Sequence, residues 1–318
     1  MKRHVLAAVT LILFSSIAYS APNREAITIW SDGVRLAGDL WKPEGLGENE
    51  KRPAVLLAHG WGGEKSHLNQ AYAPQFAELG YIVLTFDYRG WGESDGKLIR
   101  VGDKPSDTSG DFAVEVREVR TMVDPLDELE DIRAAHAYLI GEPQVDGTRL
   151  AIWGSSLGGG LVLQSAAILP GFKVMITQVG AVNPRAGENS ADPNAPLSPE
   201  NMQMLSSAVA RGDLPPFPGA EAGVPGLRGF PIWPRMVRYD PFAYAEKLTA
   251  ATLIIDAADE ELFDITQNGE ALYRKIRNQV PARYETIPGK HYDVYSGPGY
   301  AAAIAMEKAW LAEHLPVK

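Results

Sequence analysis

The chain has 318 residues, 45% of them apolar, a formal net charge of −10 and no cysteine. That length supports one large domain with a substantial core, or two modest ones. The acidic balance argues against a nucleic-acid or anionic-membrane partner, and the missing thiols exclude a lipoprotein anchor, a cysteine nucleophile and thiolate metal sites.

The first predicted element is a secretory signal peptide over residues 1–20. Lys2 and Arg3 form its positive end, Val5 to Ala18 its apolar run, and Ala18-Tyr19-Ser20 a small-x-small cleavage site before Ala21. The apolar run is short for a membrane span and no later segment approaches the needed length. The expectation is an exported protein, periplasmic or extracellular, with no stable membrane anchor. Residues 21–318 are expected to form one domain that is held by its core alone.

Residues 25–43, EAITIWSDGVRLAGDLWKP, alternate apolar and polar positions around Asp32-Gly33, which predicts an antiparallel hairpin. Short apolar runs then alternate with helix-period segments. The runs are AVLLAH (54–59), YIVLTFD (81–87), RLAIWG (149–154), KVMITQVG (173–180), ATLIIDA (251–257) and ARYETIP (282–288). Helices are predicted at about 66–79, 125–140, 157–168, 265–278 and 299–314. Runs that are apolar on both faces and separated by helices imply an α/β fold with a mostly parallel sheet covered on both sides.

Residues 181–247 interrupt this rhythm with eleven prolines. They hold one convincing helix, with Ser198 as N-cap, Pro199 at its first position and Gly212 beyond its end. An insertion this long in a compact domain reads as a cap over a site.

The chemistry begins at Gly154-Ser155-Ser156-Leu157-Gly158, which matches G-x-S-x-G between a strand and a helix. A sharp strand–turn–helix junction holds its central residue under strain, so the positions two places to either side must be nearly free of side chain. Ser156 meets that need, flanked by Gly154 and Gly158. Ser155 would be flanked by Trp153 and Leu157. A phosphate loop would require Lys-Ser/Thr after the second glycine, and none follows.

A hydroxyl nucleophile needs a base, and the chain order that accompanies such an elbow is Ser, acid, His. His291 follows the last predicted strand, in the loop Gly289-Lys290-His291-Tyr292. His59 precedes the elbow and reads as a structural loop residue; His136 lies inside a helix, His67 opens one, and His314 ends the last. The acid should follow ATLIIDA, where Asp256, Asp259, Glu260, Glu261 and Asp264 crowd together. Its task is to hold one imidazole tautomer and stabilise the imidazolium. Spacing alone does not separate Asp259 from Glu260, while Asp264 reads as a helix N-cap. Two backbone N–H groups would bind the oxyanion: that of Leu157, at the start of its helix, and that of Trp61, in the loop His59-Gly60-Trp61-Gly62-Gly63.

HGWGG, FDYRGWGESDG (86–96), GSSLGG, the acidic cluster and GKHY stand in the order of the α/β-hydrolase superfamily. Together with SDGVRLAGDLWKP and RLAIWGSSLGGG, they resemble its dienelactone-hydrolase-like and acyl-peptidase-like branch of small esterases, over roughly residues 25–310. The resemblance implies that the insertion lies between two late strands of the sheet. Relatives with a phrase like DEELFD use the first carboxylate before Leu-Phe as the acid, which here implies Glu260 over Asp259. The expected protein is a serine hydrolase that cleaves carboxylic esters through an acyl-enzyme on Ser156, without cofactor or metal. A serine peptidase, aminoacyl hydrolase or acyltransferase on the same residues is the alternative. Trp61, Trp91, Met202, Met204, Phe217 and Trp233 are expected around the site, which suggests a moderately apolar small-molecule ester as the partner.

Overall fold

The computed structural model describes residues 22–103, 105–107, 109–186 and 197–317; the expected signal peptide and residues 187–196 of the insertion lie outside them. Strands β1 (Asn23–Ser31) and β2 (Val34–Lys42) form the expected hairpin. Its turn residues Asp32 and Gly33 have φ of +47° and +80°. Positive φ at both turn positions matches the twist of the flanking strands, which is what the Asp-Gly pair supplies.

The six apolar runs become β3 (Arg52–Ala58), β4 (Ile82–Phe86), β5 (Val145–Ser155), β6 (Phe172–Gln178), β7 (Ala251–Ala257) and β8 (Ala282–Ile287). With the hairpin they form one eight-stranded sheet in the order β1-β2-β4-β3-β5-β6-β7-β8. β2 pairs antiparallel with β4, and every pair beyond β4 is parallel.

Helices α1 (Lys65–Ala71), α2 (Ala73–Ala77), α3 (Pro125–Gly141), α4 (Leu157–Ile168), α5 (Pro199–Arg211), α6 (Trp233–Met236), α7 (Gly269–Ile276) and α8 (Gly297–His314) complete the described fold. Alternate strand residues point to opposite faces. Leu56, Leu84, Ile152 and Ile254 pack with Ile132 of α3, Leu161 of α4 and Leu272 of α7. Val55, Leu57, Val83, Trp153 and Leu253 pack on the other side with Leu68 of α1, Phe76 of α2 and Leu311 of α8.

Three expectations change. The helix expected over 66–79 is two helices that meet at Tyr72, because Pro74 has no N–H to continue the ladder. The helix expected over 265–278 is shortened to Gly269–Ile276. Asp264 does not cap it: its carboxylate accepts the Thr266 N–H at 2.9 Å and the Gln267 side chain at 3.0 Å, which holds the preceding residues as turns. An excursion after β4 was not foreseen. In it Lys97–Arg100 pairs antiparallel with Val116–Val119, and Met122–Val123 runs parallel to Phe230–Pro231 of the insertion. The insertion helix has the expected ends: Ser198 Oγ accepts the Asn201 N–H, and Gly212 takes φ +79°.

One buried charge-bearing group makes stability depend on pH. Glu307 of α8 accepts the Trp153 Nε1–H at 2.7 Å, and burial pushes its carboxyl up to about 8. The native state therefore keeps a proton on Glu307 that the unfolded chain releases near pH 4.5, so this group's contribution to stability falls as pH rises from about 4.5 to about 8 and is level above. Glu307→Gln keeps the acceptor for Trp153 and cannot ionise. It is expected to raise the melting temperature at pH 9 and leave it unchanged at pH 5. Equal shifts at the two pH values in calorimetry would overturn this linkage.

Candidate active site

β5 ends at Ser155 and α4 begins at Leu157, so Ser156 alone makes the junction, with φ +53° and ψ −125°. A side-chain-bearing residue is strained there, and the neighbours show why the chain tolerates it. A Cβ on Gly158 would stand 2.6 Å from the carbonyl oxygens of Ala58 and His59, and one on Gly154 would run into the Gly158 carbonyl. One on Gly60 would stand 2.9 Å from the Ser156 Cβ. The Ser156 N–H donates to the Gln178 carbonyl at 3.0 Å, and its carbonyl accepts the Gly159 and Ala181 N–H groups. Ser155 is buried, and it and Tyr295 border the same cavity as Ser156.

His291 follows β8 and is 1% exposed. Its Nδ1 lies 2.8 Å from Glu260 Oε2, and the other Glu260 oxygen accepts the Leu262 N–H at 3.0 Å. The next residue, Glu261, accepts the His291 backbone N–H at 3.0 Å. The Ala258 and Asp259 N–H groups donate to the Ile287 and Gly289 carbonyls, which fixes the acid loop against the histidine loop. Of the two acids that spacing left open, it is Glu260 that reaches the imidazole; Asp259 is exposed. Asp256, at the end of β7, is fully buried, and that burial pushes its carboxyl up to about 7, the Glu260 charge adding to the shift.

Of the remaining histidines, His59 and His67 line the same cavity as His291, while His136 and His314 lie outside it. His59 is buried, its Nδ1 lies 3.0 Å from the Gly60 carbonyl oxygen, and burial lowers its pKa to about 4, so it is neutral. His136 Nε2 meets the Pro170 carbonyl, His314 packs on Trp310, and His67 is exposed.

Ser156 and His291 line one cavity of about 640 Å³. Leu157 opens α4 with no side-chain cap on that helix end, and Trp61 sits in the loop after β3. Among the described residues neither N–H has a backbone acceptor. Both residues line the cavity, so the partial positive charge of the helix N-terminus faces it. Only Trp61 of the six expected aromatic and thioether residues lines it. Trp91 is buried with its Nε1–H on the Met122 carbonyl, Met204 is 64% exposed, and Phe217 borders the grooves beside Arg89 and Lys97. Met202 and Trp233 also lie outside the lining. The wall is instead built by Tyr72, Trp153, Leu227, Met236, Leu262, Phe263, Tyr292 and Tyr295. These come from six separate segments, so no local pattern marks them. Glu261 carries no signal either, being one of five carboxylates within nine residues.

This arrangement of sheet, strained serine junction and carboxylate-held histidine is that of an α/β hydrolase. Residues 32–215 match the model of the X-Pro dipeptidyl-peptidase (S15) family, and the chain belongs to that family. An Escherichia coli protein described as an uncharacterized 31.7 kDa protein in the traX-finO intergenic region is 26% identical, over 90% of this chain and 97% of its own. A monoacylglycerol lipase from Mycolicibacterium smegmatis is 23% identical, over 89% of this chain and 95% of its own. The structure of the α/β hydrolase GrgF from Penicillium sp. sh18 has the same fold, with a TM-score of 0.68 at 16% identity, covering 92% of this chain and 99% of that one.

Proposed function

We propose that the protein is an exported serine hydrolase of carboxylic esters with a moderately apolar acyl or alcohol group. The Ser156 Oγ attacks the acyl carbon while His291 takes its proton, and Glu260 stabilises the imidazolium. The Leu157 and Trp61 N–H groups bind the oxyanion. The tetrahedral intermediate collapses as His291 returns the proton to the leaving alkoxide, and water repeats the sequence to release the acid and free Ser156.

The observation that carries the ester reading is the cavity wall, which among the described residues contains no Asp, Glu, Lys or Arg. A dipeptidyl-peptidase substrate brings an α-ammonium group, whose burial is costly without a counter-charge. An uncharged ester makes no such demand. The likeness to a monoacylglycerol lipase supports the same reading. The insertion acts as the cap in this proposal, since Leu227 and Met236 form part of the wall.

The test uses the chain purified from the exported fraction, whose first residue is expected to be Ala21. Nitrophenyl esters of increasing acyl length are assayed beside aminoacyl and Xaa-Pro nitroanilides, with product analysis in the presence of an added alcohol. Ester hydrolysis is expected to exceed Xaa-Pro cleavage in kcat/KM by roughly 100-fold or more, the scale on which a site rejects a group that it leaves unpaired. A preference for Xaa-Pro substrates would overturn the ester reading, and predominant transfer to the alcohol would make the protein an acyltransferase.

A further inference from the structure

Arg228 belongs to the insertion, far from the loop after β3 in sequence, yet it grips that loop at three points. Its carbonyl accepts the Trp61 Nε1–H at 2.8 Å. Its guanidinium donates to the Gly62 carbonyl at 3.3 Å and to Glu64 Oε1 at 3.0 Å. The packing beneath is close: Gly62 has φ +64°, and a Cβ there would stand 3.0 Å from the Arg228 Cβ. The guanidinium also lies 5.8 Å from the Trp91 ring centre, and the φ +84° of Gly229 lets the chain pass directly against that ring. Leu227, the residue before, lines the cavity.

These contacts bracket Trp61, whose N–H is the second oxyanion donor in the function proposed above. We infer that Arg228 is a positioning residue: by holding Gly62 and Glu64 from the insertion, it aims the Trp61 N–H, so the oxyanion site is complete only while the insertion is seated. This rests on the hydrolase reading of the site. The Arg228 side chain is 63% exposed, and an exposed ion pair of this kind contributes little to stability. Its geometric effect is larger, because an oxyanion donor acts only from the right distance and small misplacements are costly in rate.

Arg228→Ala and Glu64→Ala are compared with the wild type in kcat, KM and melting temperature, and in the Ki of a trifluoromethyl ketone, which forms a tetrahedral oxyanion on a serine. Arg228→Ala is expected to lower kcat about 10- to 100-fold, part of the loss seen when such a donor is removed outright. KM should change less than about 3-fold, and the ketone should weaken in parallel with kcat/KM. Arg228→Lys, which keeps one donor, should recover part of the loss, and the double variant should lose no more than Arg228→Ala. The inference is overturned if kcat and ketone binding are unchanged, if KM alone rises, or if the two losses add. A wild type that neither turns over esters nor binds the ketone would instead defeat the hydrolase reading itself.

Discussion

Ser156→Ala is expected to abolish ester turnover, with a loss in kcat of about 10⁴- to 10⁶-fold, the range found when a serine nucleophile that works with a base is removed. Substrate affinity should persist, because the cavity wall does not depend on the hydroxyl. A second substitution at the same residue separates chemistry from folding. Ser156 sits at φ +53°, where a Cβ is crowded, so Ser156→Gly should relieve strain as well as remove the hydroxyl. We expect Ser156→Gly to be as inactive as Ser156→Ala but more stable than it by about 1 kcal/mol, a rise of about 2 °C in melting temperature. Residual activity in Ser156→Ala above one per cent would remove Ser156 from the role of nucleophile. A glycine variant no more stable than the alanine one would mean that the junction stores no strain.

The acid is tested by Glu260→Gln, expected to lower kcat about 10³- to 10⁴-fold, as the corresponding carboxylate-to-amide change does in a triad. The geometry gives the reason. Both Glu260 oxygens accept from N–H groups, one from His291 Nδ1 and the other from the Leu262 backbone. An amide has only one oxygen, so it either turns its NH2 against Leu262 or forces the imidazole into the wrong tautomer. In both cases the imidazolium loses its counter-charge. Asp259→Asn alters an exposed carboxylate and should change kcat less than about 3-fold. Glu261→Gln should fall between the two, because an amide oxygen can still accept the His291 N–H. The assignment fails if Asp259→Asn costs as much as Glu260→Gln.

Much of this molecule was legible in the chain because the relevant physics is local. The six apolar runs became the six strands that follow the hairpin in the main sheet, because runs this short suit strands rather than helices. The elbow was legible because Gly154 and Gly158 answer a steric demand within five residues. The choice of Ser156 over Ser155 followed from what flanks each. Where local rules competed, the chain misled: Pro74 divided one helix and the Asp264 carboxylate shortened another.

Other features depend on residues that meet only after folding. Asp259 and Glu260 are adjacent and chemically alike, and their separation rests on which carboxylate the loop turns inward once the Ala258 and Asp259 N–H groups bond to the strand and loop carrying His291. The cavity wall was misplaced for the same reason. Its aromatic residues are scattered from Trp61 to Tyr295, and the aromatic residues of the insertion that looked suited to it lie outside the lining. Arg228 had no signal of its own, because its partners Trp61, Gly62 and Glu64 come within hydrogen-bonding range only when the insertion folds back over the loop after β3. By itself the sequence determined the strands of the main sheet, the strained serine and the histidine, each constrained by its immediate neighbours. Tertiary structure alone decided which carboxylate holds that histidine, which side chains wall the cavity and what holds the oxyanion loop, since each is a contact between segments distant along the chain.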